Sequence, residues 1–181
     1  MNNVSNRRIA ALFGALGVAV CLMSGGAATA QAQEITAATL VDRAQIQDLI
    51  TRYYYNFGRE DAENFADFYA TDAELILGER HYKGKEGIMS AYGRAPGQEP
   101  RPRQERFSFN VSISNPLIVV HGNTATAKMI FTEYVIEKQG DQPKVIVQGR
   151  EYAHFVKEGG QWRYKVRQIT PGMQEPKDWK E

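Results

Sequence analysis

The chain has 181 residues, 22 of them basic and 21 acidic, with a net charge near +1. That balance excludes a general nucleic-acid binder, whose phosphate contacts need a basic excess. A single cysteine, Cys21, excludes a disulfide framework and a set of thiolate metal ligands.

Residues 1–32 read as a secretory signal peptide. Arg7 and Arg8 come first, then the apolar stretch Ile9 to Ser24, then small-x-small exits at Ala28-Thr29-Ala30 and Ala30-Gln31-Ala32. The apolar stretch is shorter than the ~20 residues a spanning helix needs. The mature chain is therefore expected to be periplasmic or secreted, with no stable membrane insertion. Losing Arg7 and Arg8 would leave 20 basic residues against 21 acidic ones. What remains has the length of one domain, assigned to 33–170, with a polar tail at 171–181.

Val41, Ile46, Leu49, Ile50, Tyr53 and Phe57 recur at helical spacing, which predicts a long first helix ending near Gly58 with Asp42 as its cap. Asp61 is expected to cap a shorter helix with Phe65, Phe68 and Tyr69 on its apolar face. Ala73 to Leu77 reads as a strand and His81 to Gly84 as a turn or second short strand. Lys85 to Tyr92 reads as a small helix with Ile88 and Met89 inward. Pro96, Pro100 and Pro102 mark an exposed loop.

Four strands are expected after it. Phe107, Phe109, Val111 and Ile113 alternate with polar residues at period two. Asn115-Pro116 predicts a bulge or bend, because proline lacks a ladder donor. The strand resumes from Leu117 to Val120. Thr124 to Ile136, Val145 to Val156 and Gln161 to Ile169 come next, separated by glycine-bearing turns. Trp179 is the one candidate anchor of the tail. Early helices are the only cover for such a sheet, which predicts an α+β cone: a strongly curved antiparallel sheet wrapped around N-terminal helices, with an internal cavity. No glycine-rich phosphate loop appears.

Several segments carry a resemblance. "DRAQIQDLITRYYYNFGREDAENFADFYATDAEL", "YKGKEGI", "SNPLIVVHGNTATA" and "GREYAHFVKEGGQWRYKVRQI" resemble the SnoaL-like branch of the nuclear-transport-factor-2-like (NTF2-like) superfamily. The resemblance implies a hydrophobic small molecule in the cone, neither metal nor organic cofactor, and a homodimer packed through the outer sheet face. It also shows departures. The tyrosine–aspartate pair of the dehydratase-type members becomes Phe57-Gly58, and their two histidines fall on Val111 and Met129.

Strand parity gives two possible interiors. If Phe109, Val111 and Ile113 point inward, the resemblance places Met129, Phe131 and Glu133 inward on the next strand, then Gly149, Glu151 and Ala153. Glu133 and Glu151 would then be carboxylates in an apolar cone, where burial raises a carboxylate pKa toward a useful acid–base range. If the bulge shifts the register, Asn110 and Arg150 enter instead, and the guanidinium would hold a ring oxygen. Tyr53 and Tyr54, at the end of the first helix, are candidate proton donors. The catalytic candidates are therefore Tyr53, Tyr54, Glu133 and Glu151. The candidate substrate contacts are Phe109, Asn110, Val111, Met129, Phe131 and Arg150. His81, His121 and His154 do not have the spacing of a metal site.

These features favour a cofactor-independent lyase acting on a hydroxylated aromatic small molecule. The chain is similar in kind to bacterial diarylpropane lyases of this superfamily, which remove water and formaldehyde from a lignin-derived diol to give a stilbene. An isomerase or cyclase of the ketosteroid-isomerase kind remains open, as does a non-catalytic binding domain.

Overall fold

The computed structural model describes residues 35–57, 65–93, 97, 108–172 and 174–179. The expected signal peptide, the Asp61 cap and most of the proline loop lie outside them.

Helix α1 spans Ala37–Asn56. Its cap is Thr36, whose hydroxyl accepts from the Thr39 backbone N–H while the Thr39 hydroxyl accepts from that of Thr36. This reciprocal pair satisfies two orphan donors of the first turn. Asp42 is thus not the cap; it sits inside the helix and accepts from Lys157 Nζ at 2.7 Å and Trp162 Nε1 at 2.9 Å. The buried stripe is Ile46, Leu49, Ile50, Tyr53 and Tyr54, at offsets of three and four that share one helix face. Val41 is off that face and exposed.

The expected second helix is only a 3-10 turn at Phe65–Phe68 among the described residues, and Tyr69 begins a strand instead. That strand, β1, runs Tyr69–Leu77 and pairs with β2, Arg80–Lys83. Helix α2 spans Gly84–Ala91, with Ile88 fully buried. Strands β3 (Ser108–His121), β4 (Thr124–Ile136), β5 (Lys144–Glu158) and β6 (Gln161–Pro171) complete a six-stranded sheet of order β2-β1-β6-β5-β4-β3.

The architecture is an α+β cone, a curved, unclosed sheet with helices on its concave side. The sheet is mixed rather than antiparallel throughout, because β1 lies parallel to β6. The chain enters the sheet beside what will be its last strand, crosses to the far edge at β3, and returns by hairpins.

Two irregularities decide which side chains face the helices. In β3 the register shifts between Ser114 and Leu117, with Asn115 at φ 52°. Ile113 pairs with Phe131 and Ile118 with Ala127, so β3 carries an extra residue there and its inward parity switches. Val111 and Ile113 pack inward before the bulge, Ile118 and Val120 after it. Arg43 of α1 donates to the Ile118 carbonyl just past the bulge. In β6 the shift lies opposite His154 and Phe155: Val166 pairs with His154, but Tyr164 pairs with Phe155. Lys165 is the extra residue, and beyond it Arg167 faces inward along with Trp162 and Tyr164.

Gly149 marks a close approach. A Cβ there would meet the Thr170 carbonyl oxygen and come within 2.8 Å of the Phe131 ring, so only glycine lets that ring lie on β5.

The tail crosses the outer sheet face. Gly172 donates to the Gln148 carbonyl at 3.1 Å, Glu175 pairs with Lys128 at 2.9 Å, and the Trp179 ring lies 5.2 Å from Tyr152 and 4.5 Å from His154. Tyr152 is fully buried beneath it.

Candidate functional site

Position 167, beyond the β6 bulge, brings a guanidinium into the core. Arg167 is 4% exposed and Glu151, on the neighbouring β5, is 0% exposed. Nε of Arg167 donates to Glu151 Oε2 at 2.8 Å, and NH2 lies 2.8 Å from the same oxygen. A buried charge is tolerated only when paired and hydrogen-bonded, and four phenols supply the remainder. NH2 donates to Tyr54 Oη at 2.6 Å; NH1 donates to Tyr53 Oη at 2.5 Å and to Tyr92 Oη at 2.9 Å, with Tyr69 Oη at 3.5 Å. Tyr54 in turn donates to Glu151 Oε2. The guanidinium carbon lies 4.3 Å from the Tyr53 ring centre and 5.3 Å from that of Tyr54, which adds cation–π attraction in a desolvated setting.

Three further elements bring their phenols to the Arg167–Glu151 pair of β6 and β5. α1 contributes Tyr53 and Tyr54, one turn from its end. β1 contributes Tyr69 as its first residue. Tyr92 is the C-cap of α2. Burial pushes the phenols of Tyr53, Tyr54 and Tyr69 well above their usual range, against the opposing pull of Arg167. They are neutral donors at any physiological pH. Burial opposes the charge on Arg167, but the Glu151 carboxylate together with the phenols of Tyr53, Tyr54 and Tyr92 outweighs it, so the guanidinium stays protonated.

The other sequence-expected residues fall in three places. Met129 and Phe131 are buried on the inward face of β4, with Met129 beside Glu151. Phe109, Val111 and Glu133 lie at a partly exposed rim of that face, Val111 opposite Glu133 and Glu133 opposite Val147. Phe57 joins the rim to the buried cluster: its ring is 5.9 Å from Phe109 and 5.9 Å from Tyr92. Asn110 and Arg150 are on the outer face. Asn110 is exposed and donates to Ser108 Oγ at 3.3 Å, and Arg150 pairs with Ile130 and Thr170. The register that would have brought these two into the cone is not adopted, because the β3 bulge lies beyond Asn110 and reverses only the residues after it. His81 bonds Glu74 at 2.8 Å, His121 is exposed at a strand end, and His154 stacks on Trp179.

Sequence reasoning missed Arg167, Tyr69 and Tyr92. Alternation from Trp162 and Tyr164 sends Arg167 outward, and nothing in the residues around Lys165 announces the extra residue. Spacing alone puts Tyr69 in a helical core and Tyr92 at the end of a small helix; their meeting is a long-range event.

A family model described as a SnoaL-like domain matches residues 38–168. No curated protein matches in sequence. Among solved structures, the chain is similar to a protein from Novosphingobium aromaticivorans provisionally named a scytalone dehydratase. It is 18% identical, with 77% of this chain and 89% of that chain covered and a TM-score of 0.61. An NTF2-like protein with a cystatin-like fold from the same organism is 21% identical over 73% of this chain and 82% of its own, with a TM-score of 0.57. Aln2 from a Streptomyces species is 18% identical over 76% and 94%, with a TM-score of 0.59. At these identities the solved structures establish the fold.

Proposed function

Because the chain belongs to the SnoaL-like family, we propose that it is a cofactor-independent acid–base enzyme acting on a hydrophobic, oxygen-bearing small molecule, working as a dehydratase-type lyase. One observation carries the reading. A fully buried ion pair, Glu151–Arg167, organises four phenols, and the cluster adjoins an aromatic rim of Phe57, Tyr92 and Phe109. A packed structural core gains little from a buried ion pair compared with apolar residues of the same volume. A preorganised set of donors is what stabilises charge as it develops on a reacting oxygen.

At the finer level, the proposed substrate is a 1,2-diaryl-1,3-propanediol with a para-hydroxyl on the ring next to the benzylic alcohol. The benzylic C–O bond breaks with its electron pair on oxygen, and a phenol supplies the proton that makes the leaving group water. The ring hydroxyl loses its proton, and its electrons form a quinone methide. The terminal alcohol then gives up its proton to a base, its C–O bond becomes the carbonyl of formaldehyde, and the C–C electrons restore the aromatic ring. Water, formaldehyde and a stilbene account for every atom. Glu133 at the rim is the proposed base; Glu151 is enclosed and already holds Arg167 and Tyr54.

Incubation of the protein with such a diol should release formaldehyde and raise stilbene-like absorbance. Glu133→Gln should lower turnover at least ~100-fold, the lower end of what a positioned acid–base group contributes. Tight binding without either product would assign the same site to a carrier, and a product of unchanged mass would assign it to an isomerase.

A further inference from the structure

The hydrogen bonds of the buried cluster have a direction, and it ends at Tyr92. A phenol has one proton to give and two lone pairs to receive. Tyr53 Oη receives from Arg167 NH1 at 2.5 Å and from Tyr69, which donates to it at 3.1 Å. Both lone pairs are then filled, so the proton of Tyr53 goes to its remaining neighbour, Tyr92 Oη, at 2.9 Å. Tyr92 Oη also receives from Arg167 NH1 at 2.9 Å. The third phenol near it, Tyr69, has spent its proton on the shorter contact to Tyr53 and faces Tyr92 only as an acceptor, at 3.5 Å. The proton of Tyr92 is therefore held by this contact alone, the longest and weakest between the phenols of the cluster.

The other protons of the cluster are all spent within it, and the one atom of Glu151 and Arg167 left without a partner among the described residues is an acceptor, Glu151 Oε1. Tyr54 gives its proton to Glu151. Arg167 is engaged at all three nitrogens. Tyr53, Tyr69 and Glu151 have no exposed surface, whereas Tyr92 is part-buried and its ring meets the rim residue Phe57.

We propose that Tyr92 is the group that donates a proton to the ligand, as the terminal member of a one-way chain Tyr69→Tyr53→Tyr92, and that the ligand presents an oxygen acceptor to it. This rests on the acid–base reading above and replaces Tyr53 and Tyr54 as the acid. Arg167 is a positioning residue: it touches no substrate, but it and Tyr53 both aim N–H or O–H donors at Tyr92 Oη. When Tyr92 gives its proton to the departing hydroxyl, the phenolate left behind is held by those two donors and regains a proton from solvent. Donors already in place require no reorganisation as that charge appears.

Two measurements test it. With the diol as substrate, Tyr92→Phe should lower kcat at least ~100-fold, with KM changed little. Tyr55→Phe, an exposed phenol on the same helix as Tyr53, should match the wild type. The second measurement needs no turnover. Deoxybenzoin carries two aryl groups and a carbonyl that accepts but does not react. Its carbonyl stretch in the complex should move to lower frequency in the wild type and return in Tyr92→Phe. A red-shifted carbonyl lost in Tyr92→Phe, without diol turnover, would sustain the donor and overturn the lyase. Turnover of the diol that survives Tyr92→Phe would overturn the donor and leave the lyase standing. A wild type that neither binds deoxybenzoin nor turns over the diol would overturn both.

Discussion

Arg167 is where a single residue matters most. Its charge and that of Glu151 are both withdrawn from water, so removing one partner strands the other. Breaking such a pair costs about 3–5 kcal/mol, while replacing both members with apolar residues is often close to neutral. Arg167→Met is accordingly expected to lower stability by about that amount in guanidinium denaturation. Arg167→Met combined with Glu151→Leu should recover most of the loss while abolishing activity. A single-variant loss below about 1 kcal/mol would show that the pair is wetter than its exposure indicates. The contrast with surface pairs is instructive. Arg52–Asp48, at 2.8 Å, is just as short but largely exposed, and pairs of that kind contribute a few tenths of a kcal/mol.

Elements differ in how far the sequence makes them legible. The first helix and the four long strands are readable because their periods are unbroken over many residues, and the bulge at Asn115-Pro116 because proline announces it. The inward placement of Met129 and Glu151 comes from the family resemblance, as one of two registers that the parity leaves open. The 3-10 turn at Phe65–Phe68 passes for a helix because a short aromatic cluster has the same spacing in a helix as in a turn leading to a strand. The β6 bulge is invisible. Lys165 and Val166 are ordinary strand residues, and only pairing with β5 reveals that one is surplus. The heart of the candidate site thus depends on an irregularity that carries no composition signal.

The tail offers a prediction at the same scale. His154 lies under Trp179, flanked by Thr126 of β4 and Val166 of β6. Burial lowers its pKa below the usual 6.5. A group whose folded pKa is depressed binds protons more readily once released. Tail docking is therefore at full strength above pH 6.5 and weakens as the pH falls from there through the folded value. Tryptophan emission should report this as an acid-induced change that disappears in Trp179→Phe and loses its pH dependence in His154→Phe. A titration that persists in His154→Phe would have another origin.

For the whole molecule, the outer face of the sheet is where the proposed assembly is to be tested. The proposed homodimer would use that face, but the protein's own tail already lies across β4, β5 and β6 and keeps Tyr152 from water. Any association there must include the tail or displace it. Deleting residues 172–181 should therefore change the mass measured by light scattering at micromolar concentration. A dimer before deletion that falls to monomer would mean that the tail belongs to the interface. A monomer that dimerises after deletion would mean that the tail guards it. An unchanged mass would remove this face from assembly altogether.

The surplus residue in β6 has a further meaning at the level of descent. Lys165 is one amino acid, and so one codon. It also finds a use of its own, pairing with Asp72 on β1. Without it, the alternation set by Trp162 and Tyr164 would run straight into Val166 and Arg167, with the arginine still turned toward the phenols and the ion pair to Asp72 lost. The rest of the sheet could keep its pairing up to that point. A three-nucleotide deletion at Lys165 thus leaves the charged interior in place, whereas the same residues paired without the bulge would turn Val166 inward and Arg167 out. The position of the bulge in the last strand, as much as its residues, then decides whether an interior of this kind is oily or charged.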